Sequence, residues 1–574
     1  MDKKTLPLVI ILVVIIVFYS QILQFLGLSK PAPSSSEQPV VSDTVATAVE
    51  TPPEQPVAAA PVQETSSDEQ AVAVEQLAQD SLASPVRDDT VWVTTNTYEV
   101  ALTSRGGGPV SMVLREYTLR DGSPIDMLGL AEHATPEAVF AGGTYSTSDI
   151  GYECNLEPGT YAATSSYLDI EYTHTTQTGG TLVRRFRFYP DEYHYDLTLS
   201  VNDPGSMGFE RQYSLVWNTP LGVTEPQAES DYSAMEAVAM QGGSREKLDD
   251  WDEGRLGERL EGYTSWAGVR EKYFAAILIP MGRDADGALA RGTKEKVATP
   301  DGRVEVRRIV AGLDMPFAAT APIADSFKVF VGPLDYWLLS DYDVDLEAML
   351  DIGTTPLVGW LIKPFALGIM WLLPRMYDFI PNYGVVIIVF ALLVKIITLP
   401  LSMRSFKSMQ AMRDLQPRIK ELQAKHKKDQ AKLSQETMKL YKEHGVNPLS
   451  GCLPIIPQMP LFFALFSVFR STILLRDAPF VWFLNDLSRG ASSFTDPYII
   501  LVVIMVAAQF VSQSVTMPST QQNKAMMYIM PLFFGFIFYK FAAGLVLYWT
   551  CFSVFSLLDY VLFKRDKAAA VKAA

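Results

Sequence analysis

Long apolar runs alternate with polar stretches along the chain, one run at the N-terminus and five after residue 380. Most runs reach the roughly 20 apolar residues that a helix needs to cross about 30 Å of hydrocarbon, and the run at 525–541 is the shortest. The pattern predicts an α-helical polytopic membrane protein. Its six predicted spans are 1–29, 382–401, 448–474, 497–517, 525–541 and 542–563.

Two cations, Lys3 and Lys4, precede the first run and indicate that the N-terminus stays in the cytoplasm. A cleaved signal peptide is the alternative, but the apolar stretch exceeds the usual signal core and no A-x-A-like site follows closely. We therefore expect an uncleaved anchor over 1–29. Residues 30–89 are rich in Pro, Ala, Ser, Glu and Gln, which predicts a flexible acidic linker.

Short segments rich in β-branched and aromatic residues follow, separated by Gly, Pro, Asp and Asn; TLVRRFRFYP (181–190) is one of them. Many strands with few helical patterns predict a large antiparallel β-sandwich over 90–345. His133, His174 and His194 are isolated, and no carboxylate pair or nucleophile stands out. A membrane-anchored sugar-processing enzyme therefore has little support.

Charge is divided along the chain, with a net +11 after residue 350 and a net −27 before it. Eleven of the basic residues fall in 402–447, and so short a basic loop is expected to stay in the cytoplasm. If 350–381 also crossed the membrane, the basic loop 402–447 would lie outside. The segment 350–381 is therefore predicted to be an interfacial amphipathic helix. The β domain and 475–496 then lie outside, and the basic tail 564–574 lies inside.

The basic loop 402–447 has an apolar stripe at helical spacing up to Leu422, a polar KHKKDQ turn and a second helical pattern from about 430 to 444. Gly445 follows in a C-cap position. We expect a hairpin of two antiparallel helices. Two interpretations stay open: a self-packed hairpin with a solvated charged face, or a surface that contacts ribosomal RNA, anionic lipid or a nascent chain.

One charged residue, Lys395, lies inside the apolar run VVIIVFALLVKIITLPL (385–401). It follows Tyr383 by twelve residues, which places it roughly 18 Å from the outer edge at 1.5 Å per residue. Snorkelling towards the cytoplasmic surface explains such a lysine without any function. A charge at this depth is nevertheless a candidate functional residue, because its burial in hydrocarbon is costly.

Polar side chains in the other apolar runs favour a functional role for Lys395 over snorkelling. By the predicted topology most of them, Trp549 excepted, lie in the inner half of the membrane, where they would face protein or water. Each could form a helix–helix hydrogen bond, but together they favour a watery recess open to the cytoplasm and closed on the outer side. The candidate groove residues are Lys395, Thr398, Gln458, Gln509, Ser512, Gln513, Trp549 and Ser553.

Such a recess could receive a short hydrophilic segment of a client protein, with Lys395 attracting its acidic residues. The apolar part of the client would move along a hydrophobic slide. The residues predicted for the slide are Phe462, Phe463, Phe466, Met530, Phe533 and Phe534. This mechanism inserts a membrane protein without bond chemistry, so we expect neither enzyme activity nor a cofactor; the three cysteines show no metal-binding spacing.

A solute transporter or channel is the alternative from another class. It would need a path through both halves of the membrane, often with internal repeats. The sequence shows no clear repeat, no His in any predicted span and no Asp or Glu near a midplane, with Asp559 close to the predicted cytoplasmic end of the last span. The inserting mechanism is therefore favoured.

Six continuous segments are more specific than these patterns: WAGVREKYFAAILIP (266–280), VFVGPLDYWLL (329–339), LPLSMRSFKSMQAM (399–412), NPLSGCLPIIPQMPLFFALF (447–466), DPYIILVV (496–503) and AGLVLYW (543–549). Together they resemble the YidC membrane protein insertases, in the Gram-negative form with a large periplasmic domain. In the helical part the resemblance covers roughly 350–565. It implies a five-helix insertase core in the bacterial inner membrane, with both termini cytoplasmic and the β domain periplasmic.

The resemblance also implies partners: nascent membrane proteins, the Sec translocon, ribosome–nascent chain complexes and membrane lipids, with no DNA. Lys395 stands where many members have a groove arginine, so the charge is kept and the planar fork is lost. Trp549 stands where Tyr is frequent, and Ala391 where a hydroxyl is frequent. The C-terminal tail is short for a ribosome anchor.

Overall fold

The computed structural model describes residues 90–140, 145–177, 179–209, 211–225, 227–299, 302–352, 359–426, 429–447, 455–516 and 521–573. The predicted anchor 1–29 and linker 30–89 lie outside these residues. The described chain forms a β domain followed by a region of helices.

The β domain is built from strands of alternating pattern. They are β1 (Thr90–Thr94), β2 (Tyr98–Thr103), β3 (Gly108–Thr118), β4 (Pro124–Asp126), β5 (Glu137–Phe140), β6 (Tyr145–Ser146), β7 (Glu153–Cys154), β8 (Gly159–Ala162), β9 (Leu168–Thr175), β10 (Thr181–Phe188), β11 (His194–Asn202), β12 (Gln212–Trp217), β13 (Glu236–Gln241), β14 (Ser244–Leu248), β15 (Trp251–Asp252), β16 (Arg255–Arg270), β17 (Phe274–Met281), β18 (Ala285–Thr299), β19 (Gly302–Pro316) and β20 (Ile323–Pro333).

These strands form two sheets. The smaller has the order β4-β3-β2-β1-β8, with β1 and β8 parallel. The larger, fifteen-stranded sheet has the order β6-β5-β12-β19-β18-β16-β17-β20-β11-β10-β9-β7, and β13, β14 and β15 extend it beside β16. The described pairs of the larger sheet are antiparallel.

The sheets pack on each other through the inward-facing half of each strand. In β10, Leu182, Arg184, Phe186 and Phe188 are buried while the residues between them are more exposed, as the period of two requires. Tyr98 of the smaller sheet is fully buried and donates a hydrogen bond to the carbonyl of His194 in the larger one. The predicted β-sandwich is confirmed.

The described residues also form α-helices. They are α1 (Ala228–Ala234), α2 (Tyr336–Ser340), α3 (Gly359–Phe379), α4 (Tyr383–Asp414), α5 (Gln416–Lys425), α6 (Gln430–Glu443), α7 (Ile455–Ser471), α8 (Ile499–Thr516), α9 (Gln521–Phe538) and α10 (Ala543–Ala573). Among them α4 and the first part of α10 (Ala543–Val561) are long and apolar enough to cross a membrane, and shorter apolar segments lie at Ile499–Val515 and Tyr528–Phe538. The count of six spans stays a prediction.

The helices of the basic loop begin and end at other residues than predicted. The stripe expected to form a single helix up to Leu422 is divided at Leu415, because α4 continues from the predicted span to Asp414 and α5 begins afresh. Pro417 explains the break, since it has no N–H to continue the hydrogen bonding of α4. The second helix, α6, ends at Glu443, and Gly445 follows with a φ of +64°.

A buried group of charged residues joins the β domain to the segment 472–496, which connects α7 to α8. The Arg476 guanidinium donates to the Glu225 carboxylate at 2.7 Å and to the carbonyls of Thr118 and Thr224 at 2.9 and 3.3 Å. The side chains of Arg476 and Glu225 are each 5% exposed. The two regions are therefore held together by a desolvated ion pair.

Glu271 extends this group into the β domain. Its carboxylate accepts hydrogen bonds from the Thr224 hydroxyl and from the backbone N–H groups of 272–274. Complete burial, with Asp231 and Glu225 nearby, raises the pKa of Glu271 to about 8. We call Glu225, Asp231, Glu271, Lys272 and Arg476 the interdomain cluster.

The segment 472–496 also covers one end of the helical region. The Ala543 N–H, at the start of α10, donates to the Arg489 carbonyl at 2.7 Å, and the Ala491 N–H donates to the Tyr539 carbonyl at 2.7 Å. At the start of α4, a Cβ on Gly384 would clash with the Phe480 ring. The starts of α4 and α10 are thus closed over by this segment.

Candidate functional site

Lys395 and Asp559 form an ion pair between α4 and α10. The Lys395 Nζ lies 2.9 Å from Asp559 Oδ2 and donates to the Ser556 hydroxyl at 2.8 Å. It also lies 4.6 Å from the centre of the Phe552 ring, in a cation–π contact. The side chains of Lys395 and Asp559 are only 6% and 10% exposed. The ammonium is therefore enclosed by partners from its own chain.

Helical periodicity brings these partners together. Phe552, Ser556 and Asp559 are spaced by four and three residues, so one face of α10 presents all three. Lys395 faces that side, whereas its neighbours Ile396 and Ile397 are 61% and 68% exposed. This arrangement directs the lysine towards α10 and turns the apolar face of α4 outwards.

Two predicted groove hydroxyls bond within their own helices. Thr398 donates to the carbonyls of Val394 and Lys395 at 3.0 and 3.2 Å. Ser553, which is 8% exposed, donates to the Trp549 carbonyl at 2.9 Å. Such bonds to the preceding turn satisfy a hydroxyl in an apolar helix.

The predicted glutamines lie on other helices of the region. Gln458 of α7 donates to the Tyr548 hydroxyl of α10 at 3.4 Å. On α8, the side-chain oxygens of Gln509 and Gln513 are buried and have no hydrogen-bond donor among the residues that the structure describes. Ser512 lies between them and is half-buried. Since buried amide oxygens normally have a partner, both glutamines could accept a donor from water or from a bound chain.

The aromatic candidates divide into a packed cluster and an exposed edge. The Trp549 ring lies 5.2 Å from Phe462, 5.9 Å from Phe534 and 5.7 Å from Phe538. The Trp549 ring, predicted to line the groove, therefore packs against aromatic residues that include two of the predicted slide. Phe533 is 45% exposed. The other slide candidates, Phe463, Phe466 and Met530, are half-buried.

Sequence reasoning did not connect Asp559 to Lys395. The carboxylate lies sixteen residues after the start of α10, and the lysine twelve residues after the start of α4, an offset of about 6 Å along helices of this pitch. The long lysine stem bridges that difference. The available signal was the single acidic residue on a polar face of the last apolar run, because charges at membrane depth tend to pair with one another.

These features define a class of protein: a helical membrane protein that carries a large β-sandwich domain and encloses an ion pair among its apolar helices. Two family models match the chain, the YidC periplasmic domain over residues 90–367 and the 60Kd inner membrane protein over residues 375–570. The second match contains α4 to α9 and nearly all of α10, and therefore both members of the ion pair.

Relatives named as membrane protein insertases match most of this chain and a similar share of their own length. The chain is 33% identical over 512 residues to the membrane protein insertase YidC of Chlorobaculum tepidum, with 85% of each chain covered. It is 30% identical over 574 residues to that of Syntrophus aciditrophicus, covering 97% of this chain and 98% of the relative. A crystal structure of an active YidC insertase covers 86% of this chain and 98% of its own, at 19% identity and a TM-score of 0.35.

The chain belongs to the YidC family of membrane protein insertases, and the resemblance inferred from the six segments is confirmed. It is accordingly a protein of the inner membrane, and its β domain is periplasmic.

Proposed function

We propose that this protein inserts and folds integral membrane proteins in the inner membrane, and that client segments are received beside Lys395, between α4 and α10. The observation that carries the proposal is its relationship to membrane protein insertases over 85% of the chain. The enclosed Lys395–Asp559 pair supports the placement of the site, because ionisable residues at membrane depth are generally functional.

The proposed topology has six spans, with both termini and the hairpin α5–α6 in the cytoplasm. The eleven basic residues of 402–447 support this orientation, because cytoplasmic loops carry an excess of Lys and Arg. It puts the starts of α4 and α10, with the covering segment 472–496, at the periplasmic side. The recess is then closed towards the periplasm and opens towards the cytoplasm.

The proposed recess is lined by the polar side chains of α4, α7, α8 and α10. The buried oxygens of Gln509 and Gln513 support a watery or polypeptide-binding interior, since each can accept a further hydrogen bond. A hydrophilic client segment would find these acceptors and the Lys395 ammonium in place of bulk water. It would therefore cross only part of the membrane without polar partners.

The apolar part of a client is proposed to leave along the aromatic residues of α7 and α9. Phe462 and Phe534, packed on Trp549, give this route a fixed wall. Phe533 and Leu532 offer an open edge, being 45% and 66% exposed. The lipid beside this edge would take up the client helix, since its apolar surface is favoured in hydrocarbon.

Partners are proposed from two surfaces. The helix α3 exposes Trp360 by 76% and Trp371 by 47%, and Arg375 stacks on Trp371 at 4.1 Å. This composition suits the membrane interface, so α3 is proposed to lie along the lipid surface. The basic hairpin α5–α6 would meet ribosome–nascent chain complexes, and the protein would act alone or beside the Sec translocon.

Reconstitution tests this function. The purified full-length chain in liposomes should protect a labelled single-span client from external protease, whereas protein-free liposomes should not. Two versions of the client, with an acidic and a neutral translocated tail, test the role of Lys395. If the liposomes with the protein protect neither client better than protein-free liposomes do, the proposed function is refuted.

A further inference from the structure

We propose that Asp559 is a built-in competitor for the client-binding position of Lys395. In the protein without a client, the Asp559 carboxylate pairs with the Lys395 ammonium. An acidic residue of a client must displace this carboxylate in order to pair with Lys395. This inference rests on the proposed insertase function and adds a residue that sets client selectivity. It is carried by the contact between Lys395 and Asp559 and by the burial of both side chains.

The Lys395 ammonium is surrounded by partners from its own chain. A lysine has three N–H donors. One is donated to the Ser556 hydroxyl at 2.8 Å, the Asp559 carboxylate lies 2.9 Å from Nζ as its ion-pair partner, and the Phe552 ring centre lies 4.6 Å from Nζ. Since only 6% of the Lys395 side chain is exposed, a client carboxylate cannot simply add to this group. It has to replace one of the present partners, and Asp559 is the only charged one among the described contacts of Lys395.

Stability alone gives little reason for this pair. Replacing a buried ion pair by apolar side chains of similar volume is often neutral or stabilising, whereas removing one partner is costly. A pair of this kind is therefore better explained by a role in which its charges separate. A lysine suits that role, because its compact charge on a flexible stem can move between carboxylates, whereas an arginine fork would hold one of them in a fixed geometry.

Competition predicts selectivity. A client with a neutral segment gains nothing from Lys395, while a client with an acidic segment gains only the difference between its own carboxylate and that of Asp559. Asp559 therefore lowers the advantage of acidic clients and should reject those whose carboxylate is poorly placed. Removing it should increase the preference for acidic clients.

The test compares Asp559→Asn with the wild type in liposomes, using clients that differ only in an acidic or neutral translocated tail. The measured quantity is the ratio of their insertion rates. We expect Asp559→Asn to raise the acidic-to-neutral ratio about fivefold, the lower end of usual coupling between linked sites. Val561→Ala, on the same helix but 55% exposed and outside the candidate groove residues, is the matched control and should leave the ratio unchanged.

A ratio that stays at the wild-type value in Asp559→Asn would overturn the inference, and so would a fall in the ratio. The apolar pair Lys395→Met with Asp559→Leu covers the case in which the single variant fails to fold. It should insert both clients at equal rates, and a persisting acidic preference would overturn the inference as well. If the wild type inserts neither client, the proposed function itself fails; an unchanged ratio in an active protein rejects the competition alone.

Discussion

The interdomain cluster and the Lys395–Asp559 pair both bury charge, but they surround it differently. Arg476 is held by a carboxylate and by two backbone carbonyls of the β domain, those of Thr118 and Thr224. Lys395 has one carboxylate, one hydroxyl and an aromatic face. A planar guanidinium with all these partners is fixed in place, whereas an ammonium with few partners can exchange them. The first arrangement fits a permanent joint and the second a site of exchange.

The largest expected effect is at the permanent joint. Arg476→Met leaves the buried Glu225 carboxylate and two carbonyls without their donor. We expect a loss of about 3–5 kcal/mol in the free energy that holds the β domain to the segment 472–496, as for other broken buried pairs. Hydrogen exchange of the amides in 472–496 in the full-length protein measures it, because undocking would expose them.

The control for this change is a surface pair. Arg308 lies 3.8 Å from Glu295, and their side chains are 61% and 60% exposed. Arg308→Ala should cost at most about 1 kcal/mol and leave the exchange in 472–496 unaltered. Equal exchange in Arg476→Met and Arg308→Ala would show that the cluster does not hold the two regions together.

A smaller effect is expected at the site of exchange. Lys395→Met leaves Asp559 unpaired, but that carboxyl can take up a proton instead, so the cost should be about 1–3 kcal/mol. Adding Asp559→Leu should recover most of it, because an apolar pair needs no partners. Thermal unfolding of the detergent-solubilised protein measures both variants. A double variant less stable than Lys395→Met would mean that the pair is structural, as the interdomain cluster is.

The smallest effect is the pH dependence of the interdomain cluster. The folded protein keeps a proton on Glu271 up to about pH 8, whereas the unfolded chain loses it near the ordinary Glu pKa, about 4.3. Stability should therefore fall as the pH rises towards 8 and level off above it. Between pH 6.5 and 8 the fall should be at most about 2 kcal/mol. The fall is measured by comparing the unfolding temperatures of the wild type and of Glu271→Gln across this pH range, because the glutamine side chain does not titrate.

Another buried group acts in the opposite direction at the lower end of this window. Burial, with Lys328 nearby, lowers the pKa of His194 to about 4, so this side chain is neutral in the folded protein above pH 6.5, whereas in the unfolded chain it is about half charged at pH 6.5 and loses that charge as the pH rises. Its contribution to stability is lost as the pH falls through about 6.5 towards 4. A slope between pH 6.5 and 8 that persists in Glu271→Gln would assign it to groups other than Glu271.

The sequence predicts local patterns better than it predicts contacts between distant segments. The alternation that marks β10 is a property of eight consecutive residues, and the β-sandwich followed from it. Lys395 was visible because one charge interrupts an apolar run. The interdomain cluster was not, since Arg476 and Glu225 are separated by 251 residues and only the folded chain brings them together.

The partner of Lys395 and the environment of Trp549 were missed for different reasons. The sequence placed Asp559 near the cytoplasmic end of the last predicted span and Lys395 deeper in another span. Because α4 and α10 begin at different depths, the two residues nevertheless lie side by side. Trp549 shares a helical face with Ser553, which suggested a polar groove. Its large ring packs on Phe462, Phe534 and Phe538, as aromatic side chains commonly do with one another.

The unbroken course of α4 has a mechanical consequence. Its 32 residues extend about 48 Å, well beyond the thickness of the hydrocarbon, so the same rod carries Lys395 in its middle and Arg413 near its far end. Arg413 reaches the Val515 carbonyl of α8 and the Tyr560 hydroxyl of α10. A partner docked on the hairpin would therefore act on a part of α4 that already contacts α10, the helix that carries Asp559.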